Sequence, residues 1–198
     1  MSDRYAVLSR RFMEVRSRPY DIVEHLDTFV RAVQEFTDPV ILELGVRAGV
    51  STVAWLYALE RQGTGHLWSV DGAHPVADEF GNDLLGDLFG HPQWTFIQKW
   101  DNDPECLAQL PKQADVILVD SQHTYEVTSE ELELYVPRVR PGGRMYFHDT
   151  ALYETANAVT PQPPYPVRTA IEDYVAKHPG LVFTNVTNCN GLGRIDVP

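Results

Sequence analysis

The chain has 198 residues, of which 43% are hydrophobic, and its formal net charge at pH 7 is −12. This size and composition predict one globular domain with a substantial core, and no apolar run approaches the ~20 residues that a membrane span requires. The acidic balance argues against a nucleic-acid partner, and the lack of a signal-peptide pattern predicts a cytoplasmic protein. Cys106 and Cys189 lack CxxC spacing, which argues against a zinc site or a disulfide framework.

The first predicted elements are two helices, at 4–17 and 20–36, the second with apolar residues at helical spacing. The first twenty residues contain five arginines. They fit a solvated amphipathic helix better than a nucleic-acid arm, because the rest of the chain is strongly acidic. Within a single domain, 1–198, we expect residues 1–37 to form a helical lid segment over a core that spans 38–198.

Strands and helices then alternate, which is typical of a parallel sheet covered by helices on both faces. Near the C-terminus, the runs LVFTNV and GLGRIDV flank a short segment rich in asparagine, which predicts a hairpin. The proline-rich stretch 159–166 predicts an extended loop. The fold class is therefore α/β, a Rossmann-like sheet of seven strands with only the last antiparallel. Besides the hairpin, the predicted strands are 39–44, 66–71, 94–98, 115–120 and 143–148, and the predicted helices are 50–62, 76–89, 103–110, 126–136 and 167–178.

The segment PVILELGVRAGVS, residues 39–51, describes a buried strand that breaks into glycines just before a helix. Gly45 permits a tight turn, and Gly49 lets the helix approach the strand closely. Such a turn brings backbone N–H groups near a ligand. A phosphate cradle would seldom place a carboxylate such as Glu43 beside the turn, whereas a ligand with an ammonium and a sulfonium tolerates it. The segment therefore indicates S-adenosylmethionine (SAM) rather than a dinucleotide.

Polar side chains stand at the predicted carboxyl ends of the five parallel strands, where ligands bind in an open α/β sheet. Each has an ordinary structural explanation on its own, such as helix capping for an aspartate or packing for a tryptophan. Their order along the chain favours a functional cleft. In strand order they are Glu43, Asp71, the run Trp100-Asp101-Asn102-Asp103, Asp120 with His123 and Tyr125, and His148-Asp149.

With these motifs the sequence resembles the class I SAM-dependent methyltransferases. More narrowly, it resembles the small bacterial group of macrolide-sugar O-methyltransferases and cephalosporin hydroxylase-type proteins. The placement of acids after the fourth and fifth strands is also similar to that in catechol O-methyltransferase-like enzymes. The segments that carry the resemblance are ILELGVRAGVST, WSVDGAHP, ILVDSQHTYEVTSEELELYVPRVRPGGRMYFHDT and PVRTAIEDYV, the third being the most specific.

The resemblance implies a contact between SAM and each matched residue. Gly45 and Gly49 would line its methionine end, and Ser51 would hold its carboxylate. Glu43 would orient its ammonium through water, and Asp71 would bind the ribose hydroxyls. The residues implied near adenine are Asp101 and Asn102.

The resemblance also implies a divalent metal held by Asp120, His148 and Asp149. The related families usually have a carboxylate where His148 stands, and Mg²⁺ prefers oxygen ligands. An imidazole at this position favours Mn²⁺, Fe²⁺ or Zn²⁺, or else lies outside the ligand set.

A hydroxyl group is a poor nucleophile at pH 7, and a bound metal lowers its pKa. His123, three residues beyond Asp120, is the candidate general base. The plainer alternative makes His123 a solvated loop residue and His148 a packing residue.

The leading hypothesis is a metal-assisted SAM-dependent O-methyltransferase that acts on a small hydroxylated molecule, such as a sugar or natural-product intermediate. The N-terminal helices and the loop 159–166 would form its substrate lid. The alternatives are a SAM-binding module without methyl transfer, an enzyme with a histidine base and no metal, an NAD-dependent oxidoreductase and a nucleic-acid methyltransferase. The glycine turn lacks the GxG start of a dinucleotide site, and the charge of −12 disfavours nucleic acid. Self-association into a homo-oligomer stays open.

Overall fold

In a computed structural model, residues 3–153 and 162–198 can be described. Two helices come first, followed by alternating strands and helices and a C-terminal hairpin. Single 3₁₀ turns lie at Val23–His25 and Val136–Arg138. The strands are β1 Val40–Leu44, β2 His66–Asp71, β3 Trp94–Gln98, β4 Ala114–Val119, β5 Val139–His148, β6 Val182–Val186 and β7 Leu192–Asp196. The helices are α1 Asp3–Arg16, α2 Leu26–Gln34, α3 Val50–Gln62, α4 Pro104–Gln109, α5 Tyr125–Tyr135 and α6 Pro166–Lys177.

The strands form one seven-stranded sheet in the order β3-β2-β1-β4-β5-β7-β6. Strands β1 to β5 pair in parallel, whereas β7 runs antiparallel to both β5 and β6. This arrangement confirms the predicted α/β class and the antiparallel last strand. The strand order changes direction between β1 and β4, so the loops after these two strands diverge and leave a crevice.

Both faces of the central strands are buried, and successive strand residues point into different cores on opposite sides of the sheet. Ile41, for example, belongs to a hydrophobic core that includes side chains of α1, α2 and α3. Its neighbour Leu42 belongs to a second core that includes side chains of α4, α5 and α6. The central strands are therefore near-continuous apolar runs, interrupted by Glu43 in β1 and Asp115 in β4, and β4 is buried along its whole length. The edge strand β6 has alternate residues exposed.

The predicted helix at 76–89 is wrong, because these residues form turns and loops. The buried carboxylate of Asp78 organises the segment, accepting hydrogen bonds from the backbone N–H groups of Phe80 and Asn82 and from the Asn82 amide. The hydroxyl of Tyr20 donates a further short hydrogen bond to it. An aspartate whose carboxylate accepts hydrogen bonds from the N–H groups of its own loop stabilises that loop in competition with a helix.

The first arginines pair with nearby acids. Arg16 contacts Asp27 at 2.7 Å, and the Arg18 guanidinium contacts Glu14 at 2.7 Å. Arg11 reaches across to the loop after β2, where it donates to the Leu84 carbonyl at 2.7 Å. The first two pairs lie within the N-terminal segment, whereas Arg11 attaches this segment to the rest of the fold. Among the helices in the two described ranges, none is long and apolar enough to cross a membrane.

Candidate active site

A cavity of about 580 Å³ lies at the carboxyl ends of the parallel strands, over the crevice between β1 and β4. Of the residues predicted from the sequence, it brings together Gly45, Asp71, Asp101, Asn102, Asp120, His123 and Asp149. The predicted residues that do not line this cavity are Glu43, Gly49, Ser51 and His148. Its other walls come from Asp21, Val46, Arg47, Val70, Gly72, Lys99, Trp100, Ser121, Gln122 and Val127.

The floor of the cavity is the turn after β1, where only glycine fits at position 45. Gly45 has φ +90°, and a Cβ there would lie 2.0 Å from the backbone oxygen of Asp120. Gly49 also has a positive φ, but its hydrogen faces the Leu85 side chain, which a Cβ would meet at 2.4 Å. Gly45 therefore lets the ends of β1 and β4 approach each other closely. The missing side chain of Gly49 leaves space for Leu85, which lies in the loop after β2 and not in a strand.

Asp71, at the end of β2, holds this turn in place. Its Oδ2 accepts hydrogen bonds from the backbone N–H groups of Val46 at 2.9 Å and Arg47 at 3.0 Å. Its Oδ1 accepts one from the Ala73 N–H at 2.8 Å. A carboxylate has about four acceptor positions, so Asp71 keeps capacity for a ligand hydroxyl at the cavity wall.

Glu43 does not reach the cavity, because its side chain is completely buried beneath the turn. Its carboxyl group accepts hydrogen bonds from the hydroxyls of Ser51 at 2.7 Å, Thr52 at 2.8 Å and Ser69 at 2.6 Å. The structure thus places Glu43 and Ser51 in contact with each other, where they join β1, β2 and the first turn of α3. Ser51 borders a second cavity of about 220 Å³, beside Tyr20 and the turn.

Burial raises the pKa of Glu43 from 4.5 to about 7, although the three hydroxyls partly offset this effect. Between pH 4.5 and pH 7 the folded state therefore binds more protons than the unfolded chain. The contribution of protonated Glu43 to the free energy of unfolding is fully present below pH 4.5 and is lost as the pH rises through 7. The shift in the pKa of Glu43 corresponds to about 3 kcal/mol of this free energy.

We expect Glu43→Gln to become more stable than the natural chain by an amount that grows from pH 5 to pH 8. The neutral amide keeps an acceptor for the hydroxyls and does not ionise. Urea unfolding at four pH values measures the difference. A difference that does not change with pH would contradict the raised pKa of Glu43.

Two carboxylates and two imidazoles meet at one end of the cavity, after β4 and β5. His123 Nε2 lies 2.8 Å from Asp149 Oδ2 and 3.8 Å from Asp120 Oδ1. His148 Nδ1 lies 3.1 Å from Asp120 Oδ1 and 3.1 Å from Asp149 Oδ2. The loop after β4 places His123, and Asp149 adopts a left-handed backbone with φ +60° at the end of β5.

The four side chains balance each other's charge. Burial lowers the pKa of each imidazole, but hydrogen bonds with Asp120 and Asp149 outweigh burial and raise the pKa of His123 to about 10 and that of His148 to about 11. Burial raises the pKa of Asp149, but hydrogen bonds from the two imidazoles lower it below its ordinary value. The cluster thus holds two imidazolium and two carboxylate groups at neutral pH.

His148 is placed differently from its predicted position as a metal ligand. Its Nε2 lies 3.1 Å from the backbone oxygen of Asp21 and 3.1 Å from that of Cys189. Carbonyl oxygens only accept, so Nε2 carries a proton and donates, and Nδ1 donates to the carboxylates. Neither nitrogen offers a lone pair to a metal. The ligand atoms that converge, all within 4.8 Å of one another, belong to Asp120, His123 and Asp149.

The opposite end of the cavity presents a flat aromatic surface and an amide. The Trp100 side chain is 62% exposed. Its indole lies over Gly72, where a Cβ would come within 2.9 Å of the ring. Asn102 Nδ2 donates to Glu130 Oε2 at 3.2 Å, and Tyr135 donates its hydroxyl to the Asp101 backbone oxygen at 2.7 Å. This end suits a flat heterocycle.

Two positions near the cavity were not predicted from the sequence. Arg47 has φ +52°, unusual for a residue with a side chain, and its guanidinium contacts Asp21 at 3.1 Å and Glu79 at 3.5 Å beside the second cavity. Glu131 is an acid on a helix, a residue type that usually faces solvent, but it is 1% exposed, behind the cavity wall. An arginine inside a glycine turn was the available signal for the first. For the second, the available signal was its position four residues before Tyr135, on the buried face of the helix.

Comparisons with known proteins agree with this geometry. Residues 42–150, more than half of the chain, match the methyltransferase domain family. No curated protein matches the chain significantly. Among solved structures, an O-methyltransferase from Bacillus cereus in complex with S-adenosylhomocysteine (SAH) matches with a TM-score of 0.64 at 14% identity, covering 100% of this chain and 92% of that one.

Two further structures have similar folds. The SAH-bound Podospora anserina methyltransferase PaMTH1 has a TM-score of 0.64 at 13% identity, covering 100% of this chain and 89% of that one. TomG from Streptomyces achromogenes, an O-methyltransferase of tomaymycin synthesis bound to SAM, has a TM-score of 0.61 at 15% identity, covering 93% and 89%. The chain therefore belongs to the methyltransferase domain family and has the fold of the class I SAM-dependent methyltransferases, as the sequence resemblance predicted.

Proposed function

We propose that this methyltransferase transfers a methyl group from SAM to a hydroxyl oxygen of a small molecule, with a divalent cation at the Asp120 and Asp149 carboxylates. The observation that carries the proposal is the position of the carboxylate and imidazole cluster. It lies in the wall of the same cavity that the glycine turn and Asp71 define. Acceptor and cofactor can therefore meet in one enclosure.

The cofactor part of the proposal rests on three surfaces of the cavity. The turn at Gly45 exposes backbone groups for the methionine end, Asp71 offers acceptors for the ribose, and Trp100 offers a face for the adenine. When bound, SAM supplies the electrophilic methyl group. Glu43 and Ser51 hold the turn from beneath and give it its shape.

The donor set fits a divalent cation. Asp149 Oδ1 is buried and has no hydrogen-bond partner among residues 3–153 and 162–198. A buried carboxylate oxygen without a donor is costly unless another positive group satisfies it. Carboxylate oxygens suit Mg²⁺ or Mn²⁺. When bound there, the cation would lower the pKa of the acceptor hydroxyl.

His123 is the proposed general base, a role that needs the neutral imidazole. A cation held at the Asp120 and Asp149 carboxylates would offset the negative charge that raises the pKa of His123, and would so favour the neutral ring. The His123 side chain is 31% exposed and lines the cavity, whereas His148 is buried and donates to the backbone on its far side. Asp149 orients the ring and would stabilise the imidazolium that forms when it accepts a proton. His148 keeps the two carboxylates together from behind.

The acceptor is proposed to be a hydroxylated sugar or natural-product intermediate. The second cavity, between Tyr20, the turn and the loop at 76–79, is the space next to the proposed cofactor site. The lid would then consist of the N-terminal segment and the loop after β2, which Tyr20 and Asp78 join. Of the predicted proline loop, 159–161 lie outside the described residues. No nucleic-acid partner enters the proposal, and a cytoplasmic location stays a prediction.

The direct test is incubation of the purified chain with methyl-labelled SAM and a small-metabolite extract, with Mg²⁺ or Mn²⁺ in one arm and EDTA in the other. Label transfer that stops in EDTA is expected. Transfer that continues in EDTA would overturn the cation and leave the histidine base. Transfer in neither arm, together with SAM binding, would favour a SAM-binding module.

The role of His123 can be separated from that of a metal ligand. We expect His123→Ala to reduce kcat by about 10²- to 10⁴-fold, the usual contribution of a general base, with Mn²⁺ affinity changed little. Electron paramagnetic resonance of bound Mn²⁺ measures the affinity. A large loss of Mn²⁺ binding would instead assign His123 to the ligand set that its distances permit.

A further inference from the structure

Behind the adenine end of the cavity, α5 contacts the loop after β3 at two places. Residues 131 and 135 are one helical turn apart and therefore share a face of α5. Tyr135 donates its hydroxyl to the Asp101 backbone oxygen at 2.7 Å. The Glu131 carboxyl group lies beside the Asp101 carboxyl group, where one can bond to the other only if one of them carries a proton.

This second contact requires a proton. Glu131 Oε2 and Asp101 Oδ2 are both buried, and neither has a donor among the described residues. Two ionised carboxylates side by side would repel each other without any compensation. A shared proton converts the pair into one donor and one acceptor.

The proton belongs on Glu131. Its side chain is 1% exposed, and its other oxygen, Oε1, accepts a short hydrogen bond from the Ser121 hydroxyl. Asp101 is half-buried and lines the cavity, where water and a ligand can solvate its charge. Burial raises the pKa of Glu131 well above its ordinary value, and Asp101 raises it further.

We propose that Glu131 is a positioning residue that, as a neutral acid, donates a hydrogen bond to Asp101 and fixes the Asp101 carboxylate as the acceptor for the 6-amino group of the cofactor's adenine. The inference rests on the proposed SAM site. It assigns a function to a buried acid on the inner face of α5. Selectivity for adenine would then depend on a residue that does not touch the cofactor.

The test compares Glu131→Gln, Glu131→Leu and the control Glu133→Gln, which changes an exposed acid on the same helix. Calorimetry measures the binding of SAH and of its inosine analogue, which has an oxygen in place of the 6-amino group. The glutamine amide can donate to Asp101 and accept from Ser121, so Glu131→Gln should bind SAH within about threefold of the natural chain. Leucine cannot donate, so Glu131→Leu should lose about 10-fold or more.

The ratio of the two affinities separates positioning from mere structural support. The natural chain and Glu131→Gln should prefer SAH over the inosine analogue, and Glu131→Leu should lose most of this preference. Equal loss of both ligands in Glu131→Leu would overturn the proposal. If the natural chain binds neither ligand, the SAM site itself fails and the inference fails with it.

A second measurement needs no ligand. Infrared difference spectra between the natural chain and Glu131→Leu should show the C=O band of a neutral carboxylic acid at pH 7. Absence of this band, in a variant whose circular dichroism is unchanged, would overturn the shared proton even if SAH binds.

Discussion

Gly45→Ala is expected to destabilise the protein by more than ~4 kcal/mol and to abolish SAH binding. A left-handed backbone costs a residue with a side chain about 1–2 kcal/mol. The new Cβ would also lie 2.0 Å from the Asp120 backbone oxygen and 2.5 Å from its carbonyl carbon. Neither atom can move away without separating β1 from β4, and changes above 4 kcal/mol are reserved for disruptions of this kind.

Gly63→Ala is the matched control. Gly63 also has a positive φ, +82°, but a Cβ there would meet no atom within 4 Å. This variant isolates the backbone cost and should lose about 1–2 kcal/mol while SAH binding is unchanged. Urea unfolding and calorimetry compare the two variants. Equal stability losses would show that the contact between the turn and Asp120 is not the constraint on Gly45.

Asp149→Asn is expected to lower kcat/KM by about 10³-fold with the fold intact, in line with the loss of one fixed charge in an active site. Asparagine has the same shape and tolerates the left-handed backbone at φ +60°. It removes the charge that pairs with His123 at 2.8 Å and with His148 at 3.1 Å. It also removes a carboxylate from the proposed cation site.

Asp173→Asn makes the same chemical change outside the site, where the side chain accepts a hydrogen bond from Tyr125. Its activity should stay within about twofold, because surface substitutions are usually small in effect. Steady-state kinetics with the identified acceptor, together with melting temperatures, compare the two variants. Retention of a tenth or more of the activity in Asp149→Asn would contradict the assigned role.

The sheet could be predicted because its signals are local. Buried parallel strands are apolar runs that end in polar residues, and β2 and β3 begin and end where the sequence predicts. The C-terminal hairpin was likewise visible from its turn residues. The helix expected at 76–89 does not form, although its apolar residues have helical spacing. Tyr20, which is 58 residues away in the sequence, helps to fix Asp78 in a loop instead.

The site was predicted at the level of strand ends but not at the level of side-chain direction. Glu43 is buried because hydroxyls from β2 and α3 surround it, an arrangement that only the tertiary fold creates. His148 turns toward Asp21 and Cys189, which are 127 and 41 residues distant in sequence. Burial of Glu131 was not predicted, because a charged residue is usually exposed and its partners Ser121 and Asp101 come from two other strand ends.

The position of His148 bears on how the protein is made. The matched family region, 42–150, contains both carboxylates and both histidines of the cluster. Yet His148 Nε2 finds its acceptors on Asp21, before that region, and on Cys189, after it. A nascent chain that has emerged only as far as residue 150 therefore holds all four side chains and the Asp21 carbonyl, but it lacks the Cys189 carbonyl. The hydrogen bonds that orient His148 are complete only after Cys189, between β6 and β7, has been synthesised.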